Sequence, residues 1–329
     1  MEVGKMNPST TLRARRLTNS NIEVTFVFNP VLTNFIRPAL ESLYKYTPVN
    51  FRVIVVDQTK DGVYGLVHDY ADLIIRNPKR KNMGFAKSMN EGIIHGLYWG
   101  SKYVAACNDD ILMISDRWWQ GILDQFDAFP EMKAVNPASP IEPGFGYGLA
   151  DDGHWIPGNS CPPWGIQIGN NIYPKAPDGS PITLEIAQTK KGYDMLLAHR
   201  QGHIEGFAGW FVVGKRDFWE NVGLYDERFG PAGAEDYQLC HRIYLAGGRA
   251  SATMRSFVWH EWMASKKRSN TTAEIVPYTK PSFQNCDALF EFSPDGANSP
   301  IFPPRDEPDK PFGNKRKLKQ EGFFVEDPR

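Results

Sequence analysis

Asn108, Asp109 and Asp110 set an amide and two adjacent carboxylates side by side in the stretch CNDDI. A hard divalent cation such as Mg2+ or Mn2+ takes one or two carboxylates and fills its shell with water and phosphate oxygens. A metal here would neutralise the charge on a departing diphosphate, although the same trio also suits a polar turn after a strand. A second stretch, NMGFAKSMNEG (82–92), puts Asn82 and Gly84 at the mouth of a helix. A glycine there lets the backbone approach a ligand, a helix N-terminus favours an anion, and Lys87 lies one turn in, within reach of a phosphate. Asn90 and Gly92 read as fold-internal, the first bonding backbone and the second easing helix packing. In the third stretch, AGAEDYQLCHR, Glu235 and Asp236 open an amphipathic helix. One of them can serve as a general base, or both can merely cap the helix, whose N-terminus lowers a carboxylate pKa. Finally His260, in WHEW, ends a strand and is either a buried structural imidazole or a ligand to a metal or diphosphate.

These groups need a scaffold, and the first half of the chain supplies one by alternating apolar strands with helices. Strands are predicted at 23–28, 52–58, 73–76 and 103–109, with helices after the first, near 63–71, and over 84–100. RVIVVDQ is nearly continuous in β-branched residues, as a strand covered on both faces should be. Repeated βα units imply a Rossmann-like, mostly parallel α/β sheet with helices on both faces, and ligands gather at the carboxyl ends of such strands. Asn29, Asp57 and Asn108 to Asp110 all fall there.

From about 137 to 202 the pattern dissolves into proline, glycine and aromatic residues, which suits an ordered, functional insertion. Regular structure resumes with GFAGWFVVGKRDFW, a helix near 236–246 and a strand at 256–260. The chain thus divides into a polar N-terminal segment (1–21), a first α/β half (22–136), a second half with the insertion (137–265), and a Pro-rich charged tail (266–329).

Composition narrows the classes. With 41% hydrophobic and 13% aromatic residues, the 329-residue chain can bury a sizeable core. A net charge of -1 provides no global field to recruit nucleic acid or an anionic membrane. The four cysteines form no C-x-x-C pair, so reduced thiols in a cytoplasm are expected rather than a zinc site or a disulfide framework. No run of about 18 apolar residues occurs, so no transmembrane anchor is expected.

Taken in order, four features resemble the family 2 glycosyltransferases, inverting enzymes of the glycosyltransferase-A fold. They are a strand ending in VVDQ; Asn82, Gly84 and Asn90 as N-x-G-x-x-x-x-x-N; CNDD as a variant of D-x-D; and GWFVVGKRDFWENVGLYDERFGPAGAED. The resemblance covers about residues 22–262. It implies that Asp57 contacts the base or ribose of a nucleotide, with Asn29 nearby, and that Asp110 is the metal-binding carboxylate. Asn108 stands where the family often has its first Asp. Asp236 would be the base, with Glu235 as the competing assignment, and His260 matches a histidine some members place near the metal. Asp226 and Glu227 match a mainly structural D-E element. The implied reaction moves a sugar from a nucleotide diphosphate, a UDP-sugar, to a glycan or glycoconjugate hydroxyl, with Mn2+ or Mg2+ as cofactor. Trp210, beside Gly209, and aromatics of the 140–170 stretch would stack on a sugar or an acceptor ring, although core packing accounts for Trp210 almost as well.

Three other readings compete. A sugar nucleotidyltransferase would carry a Gly-rich loop after its first strand, whereas NPVLTN has no glycine. A non-catalytic nucleotide-sugar-binding module would have lost its base, whereas Glu235 and Asp236 are present. Transfer to hydroxylated bases of viral DNA would call on the basic clusters at Lys79 to Lys81, Lys266 to Arg268 and Lys315 to Lys319.

Overall fold

A computed structural model of the chain describes residues 22–76, 82–140, 147–149, 155–157, 165–168, 171–199, 203–227, 235–260 and 324–326. The three basic clusters, Cys161 and Cys286, the N-terminal segment and nearly all of the tail lie outside the described residues. The strands are β1 (Val24–Phe28), β2 (Phe51–Asp57), β3 (Leu73–Arg76), β4 (Tyr103–Cys107), β5 (Ile111–Met113), β6 (Met132–Ala138), β7 (Tyr147–Leu149), β8 (Trp155–Pro157), β9 (Gly165–Ile168), β10 (Asn171–Pro174), β11 (His203–Glu205), β12 (Phe211–Lys215), β13 (Arg249–His260) and β14 (Phe324–Glu326). The helices are α1 (Ile36–Tyr46), α2 (Tyr64–Val67), α3 (Phe85–Tyr98), α4 (Trp118–Ala128), α5 (Leu184–Ala187), α6 (Lys190–His199), α7 (Arg216–Asn221) and α8 (Glu235–Leu245).

One sheet organises the molecule, in the order β11-β13-β6-β12-β4-β1-β2-β3-β14, with β5 paired to β13 off this path. Six strands (β1, β2, β3, β4, β6 and β13) run the same way, while β12 lies antiparallel between β4 and β6. The carboxyl ends of all six therefore line one edge. β14 pairs antiparallel with β3 and covers the flank of the parallel block.

The alternation of side chains along β1 and β2 feeds two cores. Phe26, Val53, Val55 and Ile74 pack with α1, α2 and α4 on one face. Val27, Ile54, Val56 and Ile75 pack with α3, α7 and α8 on the other. Helix α3 lies close on β1 because Gly92 faces it, and a Cβ at that position would come within 2.1 Å of Val27. The expected α/β architecture with helices on both faces is what the chain forms.

Two boundaries differ from the sequence expectation. The last strand begins at Arg249 rather than 256, because residues 249–253 pair with β6 and 251–253 with β11. Within 137–202 the described residues hold two strand pairs, β7-β8 and β9-β10, and helices α5 and α6, rather than irregular chain alone. Tyr193 and Leu196 of α6 join Ile114, Ala138 and Phe257 in a small third core.

Candidate active site

The carboxyl edge carries the chemistry in two groups, one beyond β1, β2 and β3 and the other beyond β4 and β13. In the first, Asp57 ends β2 and is 4% exposed. Its Oδ1 accepts hydrogen bonds from the Thr59 N–H (3.0 Å) and the Thr59 hydroxyl (2.7 Å). Its Oδ2 accepts from the Val63 N–H (3.1 Å) and faces the Arg76 guanidinium at 3.7 Å. The carboxylate therefore shapes the 57–63 turn and anchors a cation at the end of β3.

Next to it, Gln58 bridges two elements. Its Oε1 accepts from the Met83 N–H (2.7 Å) and its Nε2 donates to the Ser88 hydroxyl (2.8 Å). The Asn29 amide donates to the same hydroxyl (3.1 Å), which in turn donates to the Gly84 carbonyl (2.8 Å). Asn82 Oδ1 accepts from the Gly84 N–H (2.8 Å), and Gly84 has φ 91°, a conformation natural to glycine. These bonds fix the entry to α3, with Lys87 part-exposed on its first turn. Gln58 and Ser88 were not singled out from sequence. The only cue was the position of Gln58 directly after Asp57.

In the second group, the pairing of β5 with β13 sets Ile111 opposite His260. Asp110, just before β5, is thereby brought beside the imidazole, its Oδ1 3.3 Å from His260 Nε2. Both residues are buried. The His260 ring stacks flat on Trp210, centroids 4.6 Å apart and planes 10° from parallel. Trp210 is itself 5% exposed, so its ring supports the imidazole, and its carbonyl accepts from the Asn108 N–H (2.8 Å). One residue earlier, the Gly209 N–H donates to Asp236 Oδ2 (2.8 Å). Asp110, His260, Trp210, Gly209 and Asp236 thus form one continuous run of contacts.

The acidic pairs differ in their surroundings. Glu235 is buried, whereas its neighbour Asp236 is partly exposed in the first turn of α8. Among the described residues, Asp109 Oδ2 and Asp110 Oδ1 are buried without a hydrogen-bond partner, the latter having only the His260 imidazole at 3.3 Å beside it. Burial, and next the adjacent charge of Asp110, push the Asp109 carboxyl up to about 8. Buried carboxylate oxygens of this kind fit a divalent cation, which would supply the counter-charge they lack. Among the described residues no cluster of three or more His, Cys, Asp or Glu side chains is arranged to hold a metal. A cation here would therefore draw part of its shell from a ligand and water, the habit of Mg2+ and Mn2+.

The two groups flank β1. Asp57 ends β2 and Asp110 follows β4, strands that are two spacings or about 10 Å apart across the sheet. Asn90 serves the fold: it donates to the Tyr225 carbonyl (2.9 Å) and to Glu227 (3.1 Å), and accepts from the Tyr225 N–H (3.0 Å). Cys107 and Cys240 are buried free thiols, and no described helix is long and apolar enough to cross a membrane.

Residues 24–181 match the family model described as Glycosyl transferase family 2. Among solved structures, the chain is similar to GalNAc-T7, crystallised with UDP, GalNAc and Mn2+, at 12% identity and TM-score 0.47, covering 74% of this chain and 44% of that one. It is also similar to residues 1–349 of S. aureus TarS, at 13% identity and TM-score 0.44, covering 73% of this chain and 60% of that one. The chain therefore spans less than two thirds of either structure. A comparison with curated proteins gave no match.

Proposed function

We propose, from the match of residues 24–181 to the Glycosyl transferase family 2 model, that the chain is an inverting glycosyltransferase using a UDP-sugar and a divalent metal. The acceptor is the hydroxyl of a glycan or glycoconjugate. The observation that carries this reading is the run of contacts from Asp110 through His260, Trp210 and Gly209 to Asp236. It puts a candidate cation-binding carboxylate and a candidate base on one edge of one sheet.

In this account the turn at Asp57 and Arg76 receives the nucleoside, with Asn29, Gln58 and Ser88 holding the entry to α3 in place beside it. Asn82, Gly84 and Lys87 face the phosphates, and Asn108 and Asp109 complete the nucleotide side. Asp110 and His260, with Asp109 adjacent, would hold the cation, whose chemistry is to neutralise the diphosphate as it leaves. Without a counter-charge, the two carboxylates would repel that leaving group.

Asp236 takes the proton of the acceptor hydroxyl. The acceptor oxygen then bonds to the anomeric carbon from the side opposite the diphosphate, and the carbon–oxygen bond to the diphosphate breaks. One displacement inverts the centre. Holding oxygen, carbon and leaving group in line makes the step effectively unimolecular. The Gly209 N–H holds one oxygen of Asp236 in place. Gly209 and Trp210 form the floor between base and cation.

The test is thermal stabilisation across a panel of sugar nucleotides, with and without Mn2+. One donor should raise the melting temperature, and only with metal present; at 100 times Kd the gain is about 2.7 kcal/mol. A flat response to every donor in the presence of Mn2+ would contradict the reading.

A further inference from the structure

We propose that Tyr193, on α6 of the insertion, is a positioning residue for the cation site and acts through an irregularity in β13. The inference rests on reading Asp110 and His260 as that site. Thr253 of β13 stands opposite Pro137 and Phe257 opposite Ala138, so Met254, Arg255 and Ser256 are extra residues that β6 does not match. Before them β13 pairs with β6 and β11, whereas after Phe257 the residues Val258, Trp259 and His260 pair with β5. A bulge re-aims the strand that carries it. Here the new heading delivers His260 to Asp110, 3.3 Å away.

The irregularity is supported from two sides. A bulge takes backbone N–H groups out of the ladder, and each must find another acceptor. The Arg255 N–H donates to the Thr253 hydroxyl (3.2 Å), which donates in turn to Gln125 of α4 (3.1 Å). Gly121 of α4 makes room for the Arg255 carbonyl, which a Cβ there would approach to 2.1 Å. From the other side, the Phe257 N–H donates to the Tyr193 hydroxyl (3.1 Å). Of the two bonded N–H groups, that of Phe257 is the nearer along the chain to His260.

Tyr193 is itself fixed. It is 1% exposed, and its ring meets the Phe257 ring edge-on at 6.3 Å. Arg117, paired with Asp194 at 2.6 Å, lies over the ring at 5.2 Å. Phenylalanine would keep this packing and lose the acceptor of the Phe257 N–H. The insertion thus bears on the cation site through one hydroxyl.

The experiment compares wild type, Tyr193→Phe and Leu196→Ala in the full chain. Mn2+ binding is measured by calorimetry with UDP present, and thermal melting and amide hydrogen exchange without either. Leu196 packs in the same small core as Tyr193, so its truncation is the control for general loosening. Tyr193→Phe should weaken Mn2+ binding by about tenfold, the scale on which partners outside the ligand shell act. It should also speed exchange at residues 258–260 by about fivefold, with 250–253 protected as before. Leu196→Ala should lower the melting temperature and bind Mn2+ as wild type does. Unchanged Mn2+ binding in Tyr193→Phe overturns the proposal, and so does an equal loss of binding in Leu196→Ala. If wild type itself binds no Mn2+, the cation reading has failed, and exchange at 258–260 alone decides whether Tyr193 holds the end of β13.

Discussion

Asp236 and Glu235 are neighbours in sequence with different access to a substrate. Glu235 is 7% exposed, while Asp236 stands partly exposed with one oxygen on the Gly209 N–H. A base must reach the proton it removes, so geometry favours Asp236. Asp236→Asn is expected to lower kcat by about 100-fold or more while leaving the donor-dependent melting shift intact. Transfer at the wild-type rate would remove Asp236 from the mechanism. Trp210 shows how surroundings weigh between two roles that residue type leaves open. An indole before a strand suggested a sugar-stacking face, but its ring is buried and lies flat on His260. Its contribution is to hold the imidazole beside Asp110.

At the scale of elements, α3 matters most, because its N-terminus and its packing on β1 are set independently. Gly92 permits the close approach to Val27, so Gly92→Ala should destabilise the fold by about 1–3 kcal/mol, measured by denaturant unfolding with an unchanged m value. The N-terminus is held instead by Gln58 and Ser88. Gln58→Ala should therefore raise the donor KM severalfold with little change in kcat, and a kcat loss at constant KM would place Gln58 elsewhere in the mechanism. Much of this layer was legible in the sequence. VIVV in β2 announces a strand buried on both faces, and the fourfold spacing of Phe85, Met89, Ile93 and Leu97 announces α3. The short strand β5 was not legible. Three apolar residues, ILM, give no period to detect, yet their pairing with β13 is what sets Asp110 against His260. The Gln58 bridge was hidden for a related reason: its partners are a backbone N–H and a serine far along the chain.

For the whole molecule, the sheet order explains why residues so far apart in sequence can work together. β4, β1 and β2 are adjacent and parallel, so the residues after Phe28, Asp57 and Cys107 emerge on one edge. The antiparallel β12 enters from that same edge, with Phe211 opposite Cys107, and so delivers Gly209 and Trp210 to it. α8 then contributes Asp236 through Gly209. The family resemblance in the sequence pointed to these carboxylates. Their assembly depends on strand directions that only the folded chain displays. The acceptor was not legible at all, because the insertion that would meet it carries no periodic signal and much of it lies outside the described residues.

A calorimetric titration of Mn2+ into protein held with UDP tests the central claim most directly, since it asks whether the Asp110 edge holds a cation together with a diphosphate. The account predicts saturable Mn2+ binding in the wild type, its loss in Asp110→Ala, and its retention in Asp236→Asn. Binding of equal strength in Asp110→Ala would contradict it, because the cation would then sit somewhere other than beside His260.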